Sequence, residues 1–154
     1  MSLIELKITS LIPTRAGCAI FLEAGEKVTQ FFIENSIGQA INDHLAGETY
    51  ERPMTYDMTT ALLTSFGARL ESLVISEFKA SDEGDEIFYA TMIWEMSNEI
   101  EHRKVVEIDC RPSDGIALAV RQKVPIMVES RVWDQAVDRS ELLEELKGQM
   151  EEGF

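Results

Sequence analysis

The stretch Asp109-Cys110-Arg111-Pro112-Ser113-Asp114 puts two carboxylates, a guanidinium and a hydroxyl within six residues. Carboxylate oxygens suit Mg²⁺ or Mn²⁺, hard cations that keep several waters, and a guanidinium beside a hydroxyl suits a phosphate. Pro112 disfavours a helical Arg111 and so holds it extended. Ser113 and Asp114 then open a helix, where free N–H groups and the positive dipole end collect. The segment is therefore expected to hold a metal through Asp109 and Asp114 and a phosphate through Arg111 and Ser113. Ordinary structural roles compete for the same residues: Ser113 as N-cap, Asp114 as a first-turn acid, Arg111 paired with Asp109 or Asp114. Elsewhere the chain has no phosphate-binding glycine loop, no His-Glu-x-x-His and no Gly-x-Ser-x-Gly. Its two histidines, His44 and His102, read as a helix C-terminal residue and a turn residue.

Several elements must position this segment. Ile4, Leu6 and Ile8 alternate with polar neighbours, which predicts a strand; Ala19–Glu23 and Val28–Ile33 predict a hairpin around Ala24-Gly25-Glu26. Ser36 is placed as N-cap of a helix with the stripe Ile37, Ala40, Ile41 and Leu45. Asp57 is placed to cap a second helix whose inward face would be Met58, Ala61, Leu62 and Phe66. Strands follow over 70–78, 87–94 and 105–109, with an acidic loop over 81–86 and a polar turn over 98–103. The helix after Pro112 is apolar almost all round and should be the most buried. A short strand over 125–128 and an acidic amphipathic helix opened by Asp138-Arg139-Ser140-Glu141 complete the chain. Ser36-Ile37-Gly38-Gln39-Ala40 and Ser113-Asp114-Gly115-Ile116-Ala117 share Ser-x-Gly-x-Ala, a faint repeat in which each copy follows a strand pair and opens a helix. The class is α+β with mostly antiparallel strands, three to four helices and a possible duplicated strand-strand-helix unit. One domain over 1–137 carries an acidic helix or tail over 138–154.

The 154 residues carry 14 Lys and Arg against 28 Asp and Glu, a net charge of −14. That balance argues against tight, non-specific binding to a nucleic-acid backbone, which needs a basic footprint. No apolar run reaches the ~18 residues of a membrane span, and the N-terminus alternates like a strand rather than a secretory signal. Cys18 and Cys110 form no zinc or redox pair spacing and are read as reduced thiols in the cytoplasm.

Val106 to Arg121, with Ile108-Asp109-Cys110-Arg111-Pro112-Ser113-Asp114-Gly115-Ile116-Ala117-Leu118-Ala119-Val120-Arg121 at its centre, resembles the signature of the bifunctional nuclease domain family. Pro125-Ile126 fits the strand that follows in that family. Arg52-Pro53-Met54-Thr55-Tyr56-Asp57 and Phe66-Gly67-Ala68-Arg69-Leu70 resemble two further family stretches, so the similarity spans about residues 4 to 137. The resemblance implies a compact α+β domain that self-associates, a dimer being favoured, and that cleaves DNA and RNA with metal assistance. It carries a working role onto Asp57, Asp109, Arg111, Ser113 and Asp114. The chain departs from the family pattern at Tyr56, where a histidine is usual, and at Ile37, where a glutamate is usual. The competing readings are a non-catalytic assembly module, pairing through Met92, Trp94 and Met96, and a small-anion site at Ser113.

Overall fold

The computed structural model describes residues 2–84, 86–100 and 102–152. Met1, Asp85, Glu101, Gly153 and Phe154, the ends of the predicted first strand and tail helix and single residues of the acidic loop and polar turn, lie outside the described residues.

Three strands open the fold: β1 (Leu3–Pro13), β2 (Cys18–Ala24) and β3 (Lys27–Ile33), followed by α1 (Asn35–Leu45) and α2 (Thr55–Ser65). Next come β4 (Ala68–Ala80), β5 (Glu86–Met96), β6 (Lys104–Cys110) and α3 (Pro112–Gln122). The chain ends with β7 (Ile126–Glu129), α4 (Ser130–Gln135) and α5 (Ser140–Glu152). One seven-stranded sheet takes the order β3-β2-β1-β7-β4-β5-β6, antiparallel throughout except where β7 runs parallel to β4. The order reads alike outward from β7: β1, β2, β3 on one side and β4, β5, β6 on the other, each meander followed by a helix. The expected α+β class holds, with five helices among the described residues instead of three or four. The additional helix, α4, has only six residues, too few for a periodic apolar stripe to show.

Strand alternation sorts the core. Ile20, Leu22, Phe31, Leu73, Ile75 and Trp94 point to the face covered by α1 and α3, where Ile41 and Ile116 are fully buried. The opposite face of the first meander, with Ile12, Ala19 and Phe21, is covered by Leu143 of α5. The terminal helix therefore packs on the sheet. Its start is fixed by Asp138, whose Oδ1 accepts the Ser140 N–H at 3.1 Å and the Val28 N–H at 3.2 Å. The sheet also curls. Phe31 of β3 and Phe88 of β5, with four strands between them in the order, bring their rings to 4.4 Å. A groove of about 700 Å³ runs along the outer edge of β3 between these two strands.

Both helix caps of the faint repeat lie two residues earlier than the serines. Glu34 is the N-cap of α1 and Arg111 that of α3, each extended at φ near −65°. Ser36 and Ser113 are thus inside their helices, neither of them a cap. The repeated glycines have a packing cause: a Cβ on Gly38 would come within 2.7 Å of Cys18 Sγ, and one on Gly115 within 3.0 Å of Leu73 Cδ2. A strand side chain needs that space in each half.

Helix α2 reverses the expected face. Met58, Leu62 and Phe66 are 56%, 57% and 68% exposed, while Tyr56, Thr60 and Leu63 are the partly buried positions of the helix's inner side. Gly67, at φ +79°, ends the helix, and its carbonyl accepts the Ser97 N–H at 3.0 Å. The residues expected to pair across a two-fold axis are also placed otherwise: Met92 and Trp94 are core and Met96 is half-buried.

Candidate functional site

Arg111 is the hub of the site. Its extended backbone follows β6, Pro112 occupies the first turn of α3, and the guanidinium reaches back over the helix start. Nε donates to Asp114 Oδ2 at 2.8 Å and one terminal nitrogen to Glu34 Oε1 at 2.8 Å. The two helix caps of the repeat are thereby joined to each other. Asp114 in turn accepts the Tyr56 hydroxyl on Oδ1 at 2.5 Å. Burial by itself would raise the Asp114 pKa; the hydrogen bonds from Arg111 and Tyr56 outweigh it and hold the carboxyl below its ordinary range. Burial and the bond to Asp114 push the Tyr56 phenol far above its ordinary value. Near neutral pH Tyr56 is therefore a proton donor and Asp114 an occupied anion, so neither is suited to be a base.

Asp57 belongs to a neighbouring cluster. It does not cap α2 as the first residue but from the third position, where Oδ2 accepts the Met54 N–H at 3.1 Å. Its other oxygen accepts Arg121 Nε at 2.9 Å. The Arg121 side chain is 7% exposed and also donates to the carbonyls of Ala117 and Ala40, tying α1, α2 and α3 together. It lies over the Tyr56 ring at 5.4 Å, which links the two clusters. His44, read from sequence as a helix-end residue, lines the shallow cleft beside Asp57, Thr60 and Arg121. The Arg121 hydrogen bond, then the Met54 N–H, and more weakly the charge of His44 lower the Asp57 pKa against the opposing effect of burial.

These contacts make Asp57 a structural anchor. Asp57→Asn should lower stability by about 1–3 kcal/mol at neutral pH, because a buried guanidinium loses its charged partner. A carboxylate with a depressed folded pKa stabilises above its unfolded pKa of about 3.9, and that contribution is lost as pH falls through the folded value. Urea unfolding of both proteins should then show the difference shrinking in acid. A constant difference across the range would mean that the charge is not what matters.

Asp109 is not brought to Asp114. It is exposed on β6 opposite Thr91, with no hydrogen bond or ion pair among the described residues. Its neighbour Cys110 faces α3, where its sulfur sits 3.1 Å from a Cβ built on Gly115, so strand alternation turns Asp109 to the other face. Burial, with Asp114 and Asp109 adding to it, pushes the Cys110 thiol up to about 11, which makes it inert near neutral pH. With Asp109 turned away and both Asp114 oxygens engaged, the expected two-carboxylate ligand pair is not assembled. No group of three or more acidic, His or Cys side chains among the described residues is arranged to hold a metal ion. Glu34, which no motif singled out, is the carboxylate that joins Asp114 at Arg111.

Ser113 completes the site. It is 7% exposed, its hydroxyl has no hydrogen-bond partner among the described residues, and it lines the groove beside Arg111 and Pro112. An unpartnered hydroxyl on a nearly buried residue that lines the groove, at the start of an eleven-residue helix, is free to meet a ligand.

A curled α+β sheet whose helix starts converge on an arginine–carboxylate hub defines a domain with one composite polar site at a groove mouth. The family model of the bifunctional nuclease domain matches residues 20–141, and the chain belongs to that family. It is also 30% identical over 112 residues to two uncharacterized proteins of Mycobacterium tuberculosis, MT1877 and Rv1829. The match covers 73% of this chain and 60% of each relative, so the chain spans about three fifths of their length. No helix among the described residues is long and apolar enough to cross a membrane.

Proposed function

We propose that the protein is a nuclease acting on phosphodiesters of DNA and RNA, with the phosphate held at Arg111 and Ser113. The observation that carries this reading is the unpartnered hydroxyl of the nearly buried Ser113, which lines the groove together with Arg111. In hydrolysis, water adds to phosphorus and gives up a proton, the bond from phosphorus to the sugar oxygen breaks with that oxygen taking up a proton, and negative charge gathers on the non-bridging oxygens. Arg111, the Ser113 hydroxyl and the free N–H groups of α3 are donors that can meet that charge. Asp114 positions Arg111, and Tyr56 positions Asp114. Glu34 occupies an arm of Arg111 in an exposed ion pair, 59% and 64% exposed on its two sides, which contributes little and yields readily to a phosphate. Mg²⁺ or Mn²⁺ would supply an acidified water, but the Asp109–Asp114 pair does not fit the role of its ligand set. Cleavage of labelled strands in either metal, against a chelator, tests the reading; absence of cutting in every condition would remove it. Two free thiols suit a reducing cytoplasm.

A second reading, that of an assembly module, is favoured by a different surface from the one expected on β5. Met54, Met58, Leu62 and Phe66 recur every four residues at the start and along α2, each at least 50% exposed, a row of the kind that marks an interface. The proposed partner is a second copy, forming a dimer. Leu62→Glu should convert the dimer to a monomer in sedimentation velocity with an unchanged melting profile; a dimer that persists would move the interface off α2.

A further inference from the structure

The groove along β3 has features that the phosphate site alone does not use. Its two guanidiniums, Arg111 and Arg139, face two carboxylates, Glu34 and Glu86, so its lining is close to neutral on a strongly acidic protein. At one end the β3 edge is already capped by the chain itself: the Arg139 N–H donates to the Val28 carbonyl at 2.6 Å, and Asp138 accepts the Val28 N–H. Antiparallel alternation then turns the main-chain groups of Gln30 and Phe32 outward as well, since β2 and β3 pair without a bulge. Phe32 is 56% exposed, and its ring lies over Gly17, where a Cβ would come within 2.8 Å of it. The ring is thus seated from below and open above. Across the groove Ile87 is 47% exposed.

We infer that this groove takes a single nucleic-acid strand in preference to a duplex, with Phe32 as the platform for a base and Arg139 as a second phosphate contact. The inference rests on the phosphodiester reading of Arg111 and Ser113. One strand presents bases that can stack on an aromatic ring and edges that can meet the free main-chain groups of Gln30 and Phe32. A duplex hides both and brings a second backbone toward an acidic surface. About 700 Å³ is the volume of a small-ligand site, enough for a short stretch of one strand. Arg139 and Arg111 stand at opposite ends of the β3 edge, at Val28 and at Glu34.

The test is fluorescence anisotropy with a short labelled oligonucleotide, as single strand and as duplex, in chelator so that binding is read apart from cleavage. The single strand should bind at least tenfold tighter, roughly the weight of one stacked base. Phe32→Ala should weaken it about 5- to 150-fold, the equivalent of ~1–3 kcal/mol per base. The slope of log affinity against log salt should be shallow, about −1.4 for two phosphates, and Arg139→Gln should flatten it by about 0.7. Melting curves guard against unfolded variants, and the exposed Arg139 provides the variant least able to disturb the fold. Equal or tighter duplex binding, or Phe32→Ala and Arg139→Gln both matching the wild type, would overturn the inference. Strand binding without cleavage in metal would remove the nuclease reading and keep the groove; cleavage with both variants unaffected would do the reverse.

Discussion

Gly115→Ala should lower the unfolding free energy by about 1–3 kcal/mol, the usual cost of overpacking a core. The added methyl would enter the space of Leu73, fully buried on the interior strand β4, and would crowd Cys110 Sγ at 3.1 Å. Neither neighbour is the free end of a flexible surface side chain, so α3 itself would have to shift and carry Arg111 and Ser113 with it. Gly148→Ala provides the contrast. That glycine lies in α5 with nothing within 4 Å of its Cβ position, and alanine there should stabilise by a few tenths to about 1 kcal/mol. Urea unfolding midpoints with unchanged slopes measure both. A neutral Gly115→Ala would mean that α3 does not sit on β4 as closely as described.

The second large effect should be on rate. Arg111→Ala is expected to lower kcat/KM for strand cleavage about 10²- to 10³-fold, the loss seen when one preorganised donor to a developing oxyanion is removed. The side chain is 59% exposed and its ion pairs lie at the surface, so the melting temperature should scarcely change. Arg111→Lys should restore little, because a point charge cannot bridge Asp114 and a phosphate in the plane of a guanidinium. Initial rates on labelled RNA, beside a thermal melt, separate the two roles: a fold that collapses with the rate would make Arg111 a structural residue.

Much of the fold was legible in the sequence, and the misses have physical causes. Alternation in β1 and β4, the apolar runs of β2 and β5 and the nearly all-apolar α3 follow from burial on one or both sides. The face of α2 did not, because a polar chain of contacts, Tyr56 to Asp114 and Asp57 to Arg121, holds this helix and leaves its apolar row outside. Periodicity counts apolar residues and cannot see a helix docked by its polar side. The start of α3 at Pro112 was legible, but serine preference misplaced the caps, which are Glu34 and Arg111 and bond each other. Of the site residues, Arg111, Ser113 and Asp114 do converge. Asp109 was separable in principle: adjacent strand residues face opposite ways, so Cys110 packing on Gly115 sends Asp109 outward. Glu34 carried no local signal, because only the pairing of the two sheet halves brings it 77 residues along the chain to Arg111.

The most direct test of the phosphate site is a time course of single-stranded RNA and DNA cleavage by wild type and Ser113→Ala, with Mg²⁺ or Mn²⁺ and with chelator. The account predicts cutting by the wild type and a loss of at least tenfold in the variant at unchanged melting temperature. Cutting of equal rate in both proteins, or no cutting by the wild type in any condition, would contradict it.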